Sequence, residues 1–398
     1  MKILAIETSC DETAISYIEA KNNNIKVLGN ALLSQVKIHE KYGGVFPMIA
    51  KREHCKTLIP LLEKVLKEAK EIKINPPKLF EEKSFRRVKK ILEKEPELLA
   101  RIIPFLKKYS KPKIDYIAVT YGPGLEPALW VGINFAKVLS LVWNIPLIPV
   151  NHMEGHIFSA FLEKKGKDNL NFKISNLKFP ILALLISGGH TELVLVSAKG
   201  GPASPWKYEI IGETRDDAVG EAFDKVGRML NLKYPGGPEI SRLAENARAS
   251  KFTGTGIKLP RPMINSETLD FSYAGLKTAV LYLIKKLPKL SSNLKTEIAL
   301  EFENSATDTL IAKTKKALVE IKAKALVIGG GVSANIHIRR EFKKMTAKEF
   351  PSVKLHIPKQ SLTTDNALMI ALAGYLKIIK NKNKVYKNIR AEGNLRLA

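Results

Sequence analysis

His152 and His156 stand four residues apart in the run His152-Met153-Glu154-Gly155-His156. On a helix, positions i and i+4 share a face, so two imidazoles spaced this way can hold one metal ion. The run follows an apolar strand-like stretch, and the ends of α/β strands are where sites collect. It is not the HExxH of zinc proteases, because Met153 rather than a glutamate follows the first histidine. A third ligand would be a carboxylate from elsewhere. Asp365, in Leu362-Thr363-Thr364-Asp365-Asn366, is a candidate at another loop-to-helix junction; its alternative role is a residue favoured there by the helix dipole.

Three glycine loops add a second chemistry: Ser187-Gly188-Gly189-His190-Thr191, Tyr234-Pro235-Gly236-Gly237-Pro238, and Gly329-Gly330-Gly331-Val332-Ser333-Ala334-Asn335. Glycines let backbone amides approach phosphates. With the acidic, hydroxyl-rich turn Glu7–Thr13, they predict a nucleotide cleft. No Walker A and no GxGxxG loop is present, which excludes the P-loop and Rossmann readings. Asp11, Glu12, Asp216, Asp217, Glu221 and Asp224 supply carboxylates. Asp224 is placed to hydrogen-bond a ribose or polar head, or else to pair with Lys225 or Arg228.

These residues need elements to hold them. Ile3–Ile6, the polar turn, and Ala14–Glu19 read as a hairpin. The pattern returns near the middle of the chain: Ile181-Leu182-Ala183 matches Ile3-Leu4-Ala5, Ser187 matches Ser9, and Thr191 matches Thr13. Leu193–Val196 then stands where Ile15–Ile18 stood, which suggests an ancient duplication with two hairpin loops facing a cleft. Helices are expected over Glu53–Glu68, Leu129–Trp143, Ala218–Leu230 and Thr364–Leu376, and strands over Ile114–Thr120, Leu147–Val150 and Lys324–Ile328. Residues 71–113 stand apart, with 13 Lys/Arg against 6 Asp/Glu. Two helical patterns there, Glu82–Leu92 and Glu97–Lys108, read as an inserted hairpin, either a solvated decoration or an RNA-contacting arm. The tail Lys377–Ala398 reads as a flexible basic end or a second RNA contact.

A chain of 398 residues is long enough for two or three domains. Lys+Arg 65 against Asp+Glu 39 leaves a net charge of +26. Such an excess points to a polyanion, RNA or DNA before an anionic membrane, unless it reflects a lysine-rich proteome. Two cysteines, Cys10 and Cys55, make neither a disulfide framework nor a zinc pair, so a reducing, intracellular setting is expected. The start of the chain does not read as a signal peptide. Ala128–Val150 is apolar, but Asn134, Asn144, Pro146 and Pro149 interrupt it, so a buried helix and strand are expected rather than a membrane span.

Taken together, the motifs resemble the TsaD family, the tRNA N6-adenosine threonylcarbamoyltransferases, in its bacterial or mitochondrial branch. The resemblance rests on Glu7–Thr13, Tyr42–Pro47, Gly122–Leu125, His152–His156, Ser187–Thr191, Gly220–Lys225, Tyr234–Pro238, Phe271–Thr278, Gly329–Asn335 and Thr364–Asn366. It implies an α/β fold of the duplicated actin/Hsp70/sugar-kinase type, two lobes around a nucleotide cleft with an inserted helical hairpin. On this reading residues 1–150 form one lobe, 151–369 the other, and 370–398 a terminal helix and tail. It implies transfer of a threonylcarbamoyl group from threonylcarbamoyl-AMP to N6 of adenosine 37 in tRNAs reading ANN codons. His152, His156 and Asp365 would bind Fe(2+) or Zn(2+). Leu185, Ile186, Ser187, Gly188, Gly189, Asp224, Gly237 and Asn335 would hold the adenylate, and Asp11 and Glu12 would serve catalysis. Implied partners are tRNA, a TsaB-like paralogue and a TsaE-like ATPase, in the cytoplasm. The competing reading is an ATPase or carbohydrate kinase of the same fold, which leaves the two histidines and Asp365 without a purpose.

Overall fold

The computed structural model describes residues 1–21, 24–74, 82–164, 169–172, 177–198, 206–250, 256–380, 386 and 388–397. The chain divides into two units. The first comprises Met1–His39, Val45–Ile174 and Asp365–Arg396; the second comprises Glu40–Gly44, Ser175–Thr364 and Leu397–Ala398. Position 150/151, where the sequence suggests a lobe boundary, falls inside the first unit, because its fifth strand runs directly into the helix that begins at His152. Residues 365–369 likewise belong to the first unit.

The first unit contains, in order, β1 (Lys2–Glu7), β2 (Glu12–Lys21), β3 (Asn24–Ser34), α1 (Val36–His39), α2 (Pro47–Glu68), α3 (Glu82–Ile91), α4 (Pro96–Lys108), β4 (Tyr116–Gly122), α5 (Glu126–Trp143), β5 (Leu147–Asn151), α6 (His152–Ser159), β6 (Glu163–Lys164) and β7 (Asn169–Asn171). The second contains β8 (Ile181–Ile186), β9 (Thr191–Ala198), β10 (Trp206–Glu213), α7 (Val219–Met229), α8 (Gly236–Ala249), α9 (Ala274–Lys286), α10 (Ser292–Ile321), β11 (Ala325–Gly329), α11 (Ile336–Glu349) and β12 (Lys354–His356). The chain then returns to the first unit as α12 (Ala367–Lys380).

The two sheets repeat one plan. The first runs β5-β4-β1-β2-β3-β7-β6 and the second β12-β11-β8-β9-β10. In each, the hairpin is antiparallel and its first strand pairs in parallel with the next strand inward. The register repeats too. Ile3 faces Ile18 and Ile6 faces Ile15; Ile181 faces Val196 and Leu184 faces Leu193, the same offset that relates the two motifs in the sequence. Strands β1 and β8 are buried on both faces, and their shared register and strand order are what a duplicated unit would show.

Apolar alternation explains how the sheets are covered. Leu4, Ile6, Ile15, Tyr17, Ile117 and Val119 pack into one core with α2 and α5. On the other face Gly374 of α12 lies against Ala118, and a Cβ at 374 would stand 2.9 Å from the Ala118 methyl. In the second unit Leu182, Leu184, Ile186, Leu326 and Ile328 pack with Phe223 of α7, Phe302 and Leu310 of α10, and Phe342 of α11. Ala128–Val150 is buried as α5 and β5, and no helix among the described residues is long and apolar enough to cross a membrane.

The hairpin within 71–113 is present as α3 and α4, anchored by Val88, Leu92, Leu98, Ile102, Phe105 and Leu106 in the first core. Glu95, between the two helices, is buried, accepts from Asn134 Nδ2 at 3.0 Å and pairs with Lys51 at 3.3 Å. Residues 75–81 of that insertion lie outside the described residues. Part of the tail is docked rather than free: Ile389 is buried, Glu392 donates its amide to the Tyr121 carbonyl at 2.8 Å, and Gly124 donates to Gly393 at 3.0 Å.

Candidate active site

Asn151 ends β5 and caps α6, its side chain accepting from the Met153 amide at 2.8 Å. That cap starts a helix at His152 and so puts His152 and His156 on one face. Asp365 comes from the other end of the unit, just before Asn366 caps α12 by accepting from the Met369 amide at 3.0 Å. His152 Nε2 and His156 Nε2 are 3.1 Å apart, and each lies 3.2 Å from Asp365 Oδ1. These edges suit a single transition-metal ion with bonds of roughly 2 Å.

Proton accounting supports that use. His152 Nδ1 lies 3.0 Å from Glu7 Oε2 and donates its proton there, so Nε2 is the nitrogen that faces Asp365 and His156. Glu7 is wholly buried and is held in turn by the Ser9 amide and the Thr120 hydroxyl, both at 2.5 Å. Burial alone would push the Glu7 carboxyl up, but His152 outweighs it and holds the group below its ordinary value. Burial likewise pushes His152 down, yet Asp365 and Glu7 together hold it well above its usual range. His156 is pushed down by burial, with the His152 charge adding to that and Asp365 opposing, and its Nδ1 is buried without a partner. The site therefore keeps two carboxylates around one imidazolium, a charge balance that a divalent cation replacing the proton would improve.

Asp11 immediately precedes β2 and Glu12 opens it in the same unit, Asp11 buried and Glu12 half-buried. Burial pushes the Glu12 carboxyl well up, with the charges of Asp11 and Asp365 adding to the effect, so this turn and the histidine pair share one electrostatic neighbourhood. The turn is held from behind by His54 of α2. His54 Nε2 donates to the Cys10 carbonyl at 2.9 Å, which leaves Nδ1 to accept from the Thr13 hydroxyl at 2.7 Å, with Gln35 Nε2 at 3.4 Å. Burial pushes this imidazole down to about 4.

The glycine loops collect in the second unit. Ser187 makes the β8–β9 turn, its hydroxyl accepting from the amides of Gly189 and His190 at 3.3 and 3.0 Å. The α7 N-terminus packs on it, since a Cβ at Gly220 would lie 2.5 Å from the Ser187 carbonyl oxygen. Leu185 and Ile186 end β8, and Gly188 and Gly189 have open space where a side chain would stand. Asp224 of α7 accepts from the Gly236 and Gly237 amides at 2.8 and 3.4 Å, thereby capping α8. Lys225 pairs with Asp217 and Glu221, and Arg228 donates to the Gly43 carbonyl. Gly330, at φ +89, packs on the Ile186 carbonyl, which brings the third loop against the end of β8. Asn335 closes that loop and caps α11, accepting from the Ile338 amide at 2.9 Å.

Two residues here carry no motif. Glu303 of α10 is buried and takes the Asn335 amide at 2.6 Å, which fixes which way that amide points. Arg248 reaches the other oxygen of Glu303 at 2.5 Å. Glu245, Glu303 and His337 form a second group with metal-like spacing. Arg248 and Arg340 already bridge its carboxylates, so its charge is compensated by protein.

The structure thus assembles Asp11, Glu12, His152, His156 and Asp365 in the first unit, and Leu185 to Gly189, Asp224, Gly237 and Asn335 in the second. A duplicated unit of this topology defines the actin- and sugar-kinase-like class of α/β proteins. Full-length HypF, solved in its phosphate- and nucleotide-bound form, has the same fold, with a TM-score of 0.50 over 96% of this chain at 12% identity. The chain spans about half (47%) of that larger structure. Within the class, the match to the model of "TsaD: tRNA N6-adenosine threonylcarbamoyltransferase" covers residues 26–77 and 97–372. The threonylcarbamoyltransferase of Persephonella marina is 40% identical, over 100% of this chain and 96% of its own, and that of Thermosipho melanesiensis is 40% identical over the whole of both. The chain belongs to the TsaD family.

Proposed function

We propose that this chain transfers the threonylcarbamoyl group of threonylcarbamoyl-AMP to N6 of adenosine 37 in tRNAs that read ANN codons, forming t6A. Relatives at 40% identity over the full length carry this reading, and the converging histidine–histidine–aspartate set supports it. His152, His156 and Asp365 would hold one Fe(2+) or Zn(2+) ion, for which two imidazoles and a carboxylate are suited donors. When bound, the ion supplies Lewis acidity toward the carbonyl of the transferred group.

The chain's own residues do the rest. Leu185 to Gly189, Asp224, Gly237 and Asn335 hold the adenylate, with glycine-loop amides offered to its phosphate. The substrate is a mixed anhydride and already activated. The N6 amine forms the new C–N bond, the C–O bond to phosphate breaks, and AMP departs. Asp11 takes the proton the amine loses, with Glu12 as its neighbour. No covalent enzyme intermediate is needed. The setting is cytoplasmic, and a TsaB-like paralogue and a TsaE-like ATPase complete the working system. The test is incubation with unmodified tRNA, preformed threonylcarbamoyl-AMP, ATP and those partners, followed by nucleoside mass spectrometry. Formation of t6A supports the reading; no t6A, with ATP turnover by the chain alone in the absence of tRNA, would favour the kinase or ATPase alternative.

A further inference from the structure

The family match breaks between residues 78 and 96, so α3 lies outside the segments matched to the family model. Its inner face is explained by packing, since Val88 and Leu92 are wholly buried in the first core. Its outer face is not. At roughly 100° per residue, Lys90 projects opposite the Val88–Leu92 stripe, flanked by Arg86, Arg87 and Lys89. Arg87, Lys89 and Lys90 are exposed, as is Lys94 just beyond the helix. Among the described residues none of these four is in an ion pair. Glu95 and Glu97 are engaged elsewhere, with Lys51 and Arg101. Residues 71–113 hold 13 basic against 6 acidic side chains, a net +7 of the chain's +26 in about a tenth of its length.

Glu82 at the start of α3 and the exposed Glu93 just beyond it offset only part of this basic row; like charges in excess raise the molecule's own electrostatic energy, and a polyanion relieves it. We propose that the outer face of α3, centred on Lys90 with Arg87 and Lys89, binds the phosphate backbone of the substrate tRNA. This rests on the proposed tRNA reaction. The hairpin is rigidly mounted: Glu95 fastens its turn to α2 and α5 through Lys51 and Asn134. Its charges are therefore presented by a folded helix rather than a loose tail, which lowers the ordering cost of binding.

The test is a salt titration of affinity for an unmodified tRNA transcript, comparing the full chain, the variant Arg87→Gln/Lys89→Gln/Lys90→Gln, and a control of equal charge, Lys285→Gln/Lys286→Gln/Lys289→Gln. Each lost phosphate contact removes about 0.9 from the slope of log affinity against log salt. The α3 variant should lose about 2 to 3 from that slope and the control should lose none. Helical circular dichroism checks that the variants fold, and the single exchange Lys90→Glu should shift the slope in the same direction. Parallel slopes for the α3 variant and the full chain, the result expected if the face docks a protein instead, would overturn the proposal. So would an equal loss in the control, which marks a bulk charge effect. A full chain that binds no tRNA even at low salt would sink the tRNA reading itself, a separate and recognisable outcome.

Discussion

Replacing His54 by alanine should cost stability in a pH-dependent way. The side chain is fully buried and joins the Cys10 carbonyl, the Thr13 hydroxyl and Gln35. Each buried polar group left without a partner costs about 1–3 kcal/mol, so the loss of two firm partners plus packing gives about 3–5 kcal/mol at pH 7.5. The pH dependence follows from linkage. The unfolded chain protonates His54 near 6.5, whereas burial lowers the folded value to about 4. The stability this neutral imidazole contributes is therefore complete above pH 6.5 and is lost as pH falls toward 4. At pH 5 the wild type has already lost about 2 kcal/mol through this group, so the gap to His54→Ala should shrink by about that amount. Urea unfolding followed by tryptophan fluorescence reads it, since Trp130 and Trp143, two of the three tryptophans, lie in the first unit. Because His54 steadies the turn bearing Asp11 and Glu12, transfer should slow tenfold or more while metal content stays unchanged. A gap under about 1 kcal/mol, or one equal at pH 5 and 7.5, would refute the reasoning.

The other perturbations test separate parts of the site. His152→Ala with His156→Ala should abolish bound metal by elemental analysis while circular dichroism is retained. Glu7→Gln should keep the metal stoichiometry but weaken affinity about 10- to 100-fold, since an outer carboxylate orients the ligand histidine. Gly237→Ala should lower adenylate affinity in calorimetry without loss of stability, because a Cβ there meets only Phe223 at 3.8 Å. Gly330→Ala should instead destabilise the second unit by at least about 1–2 kcal/mol, because φ is +89 and a Cβ would overlap the Ile186 carbonyl. Glu303→Gln should weaken adenylate binding several-fold by freeing the Asn335 amide to turn, and should lower stability by leaving Arg248 without its buried counter-charge.

Local periodicity and short motifs made much of this legible. The hairpin repeat was visible because both turns keep Ser and Thr at matching places, and the observed registers follow it strand for strand. His152 and His156 were readable because one helix carries both. Asp365 stands more than half of the chain away from His152, and only its place before an apolar helix marks it in the sequence. Glu7, His54 and Glu303 were not readable in these roles. Each is a single buried polar residue whose partner is remote in sequence, and no spacing rule links Glu7 to His152 or Glu303 to Asn335. The unit boundaries were hidden for a related reason. The first unit takes α6 after β5 and regains α12 from the far end of the chain, a closure set by packing against β1 and β5. Gly330 looked like an approach path for a phosphate, but its missing side chain makes room for the protein's own backbone.

The most direct test of the central claim is a single-turnover reaction. The metal-loaded chain, with its TsaB-like partner, is mixed with preformed threonylcarbamoyl-AMP labelled in the threonine and an unmodified ANN-decoding tRNA, with no ATP present. The account predicts label at adenosine 37 as t6A, one AMP released per group transferred, and no transfer by the variant lacking His152 and His156. Labelled adenylate consumed without label in tRNA, or transfer undiminished in that variant, would contradict it.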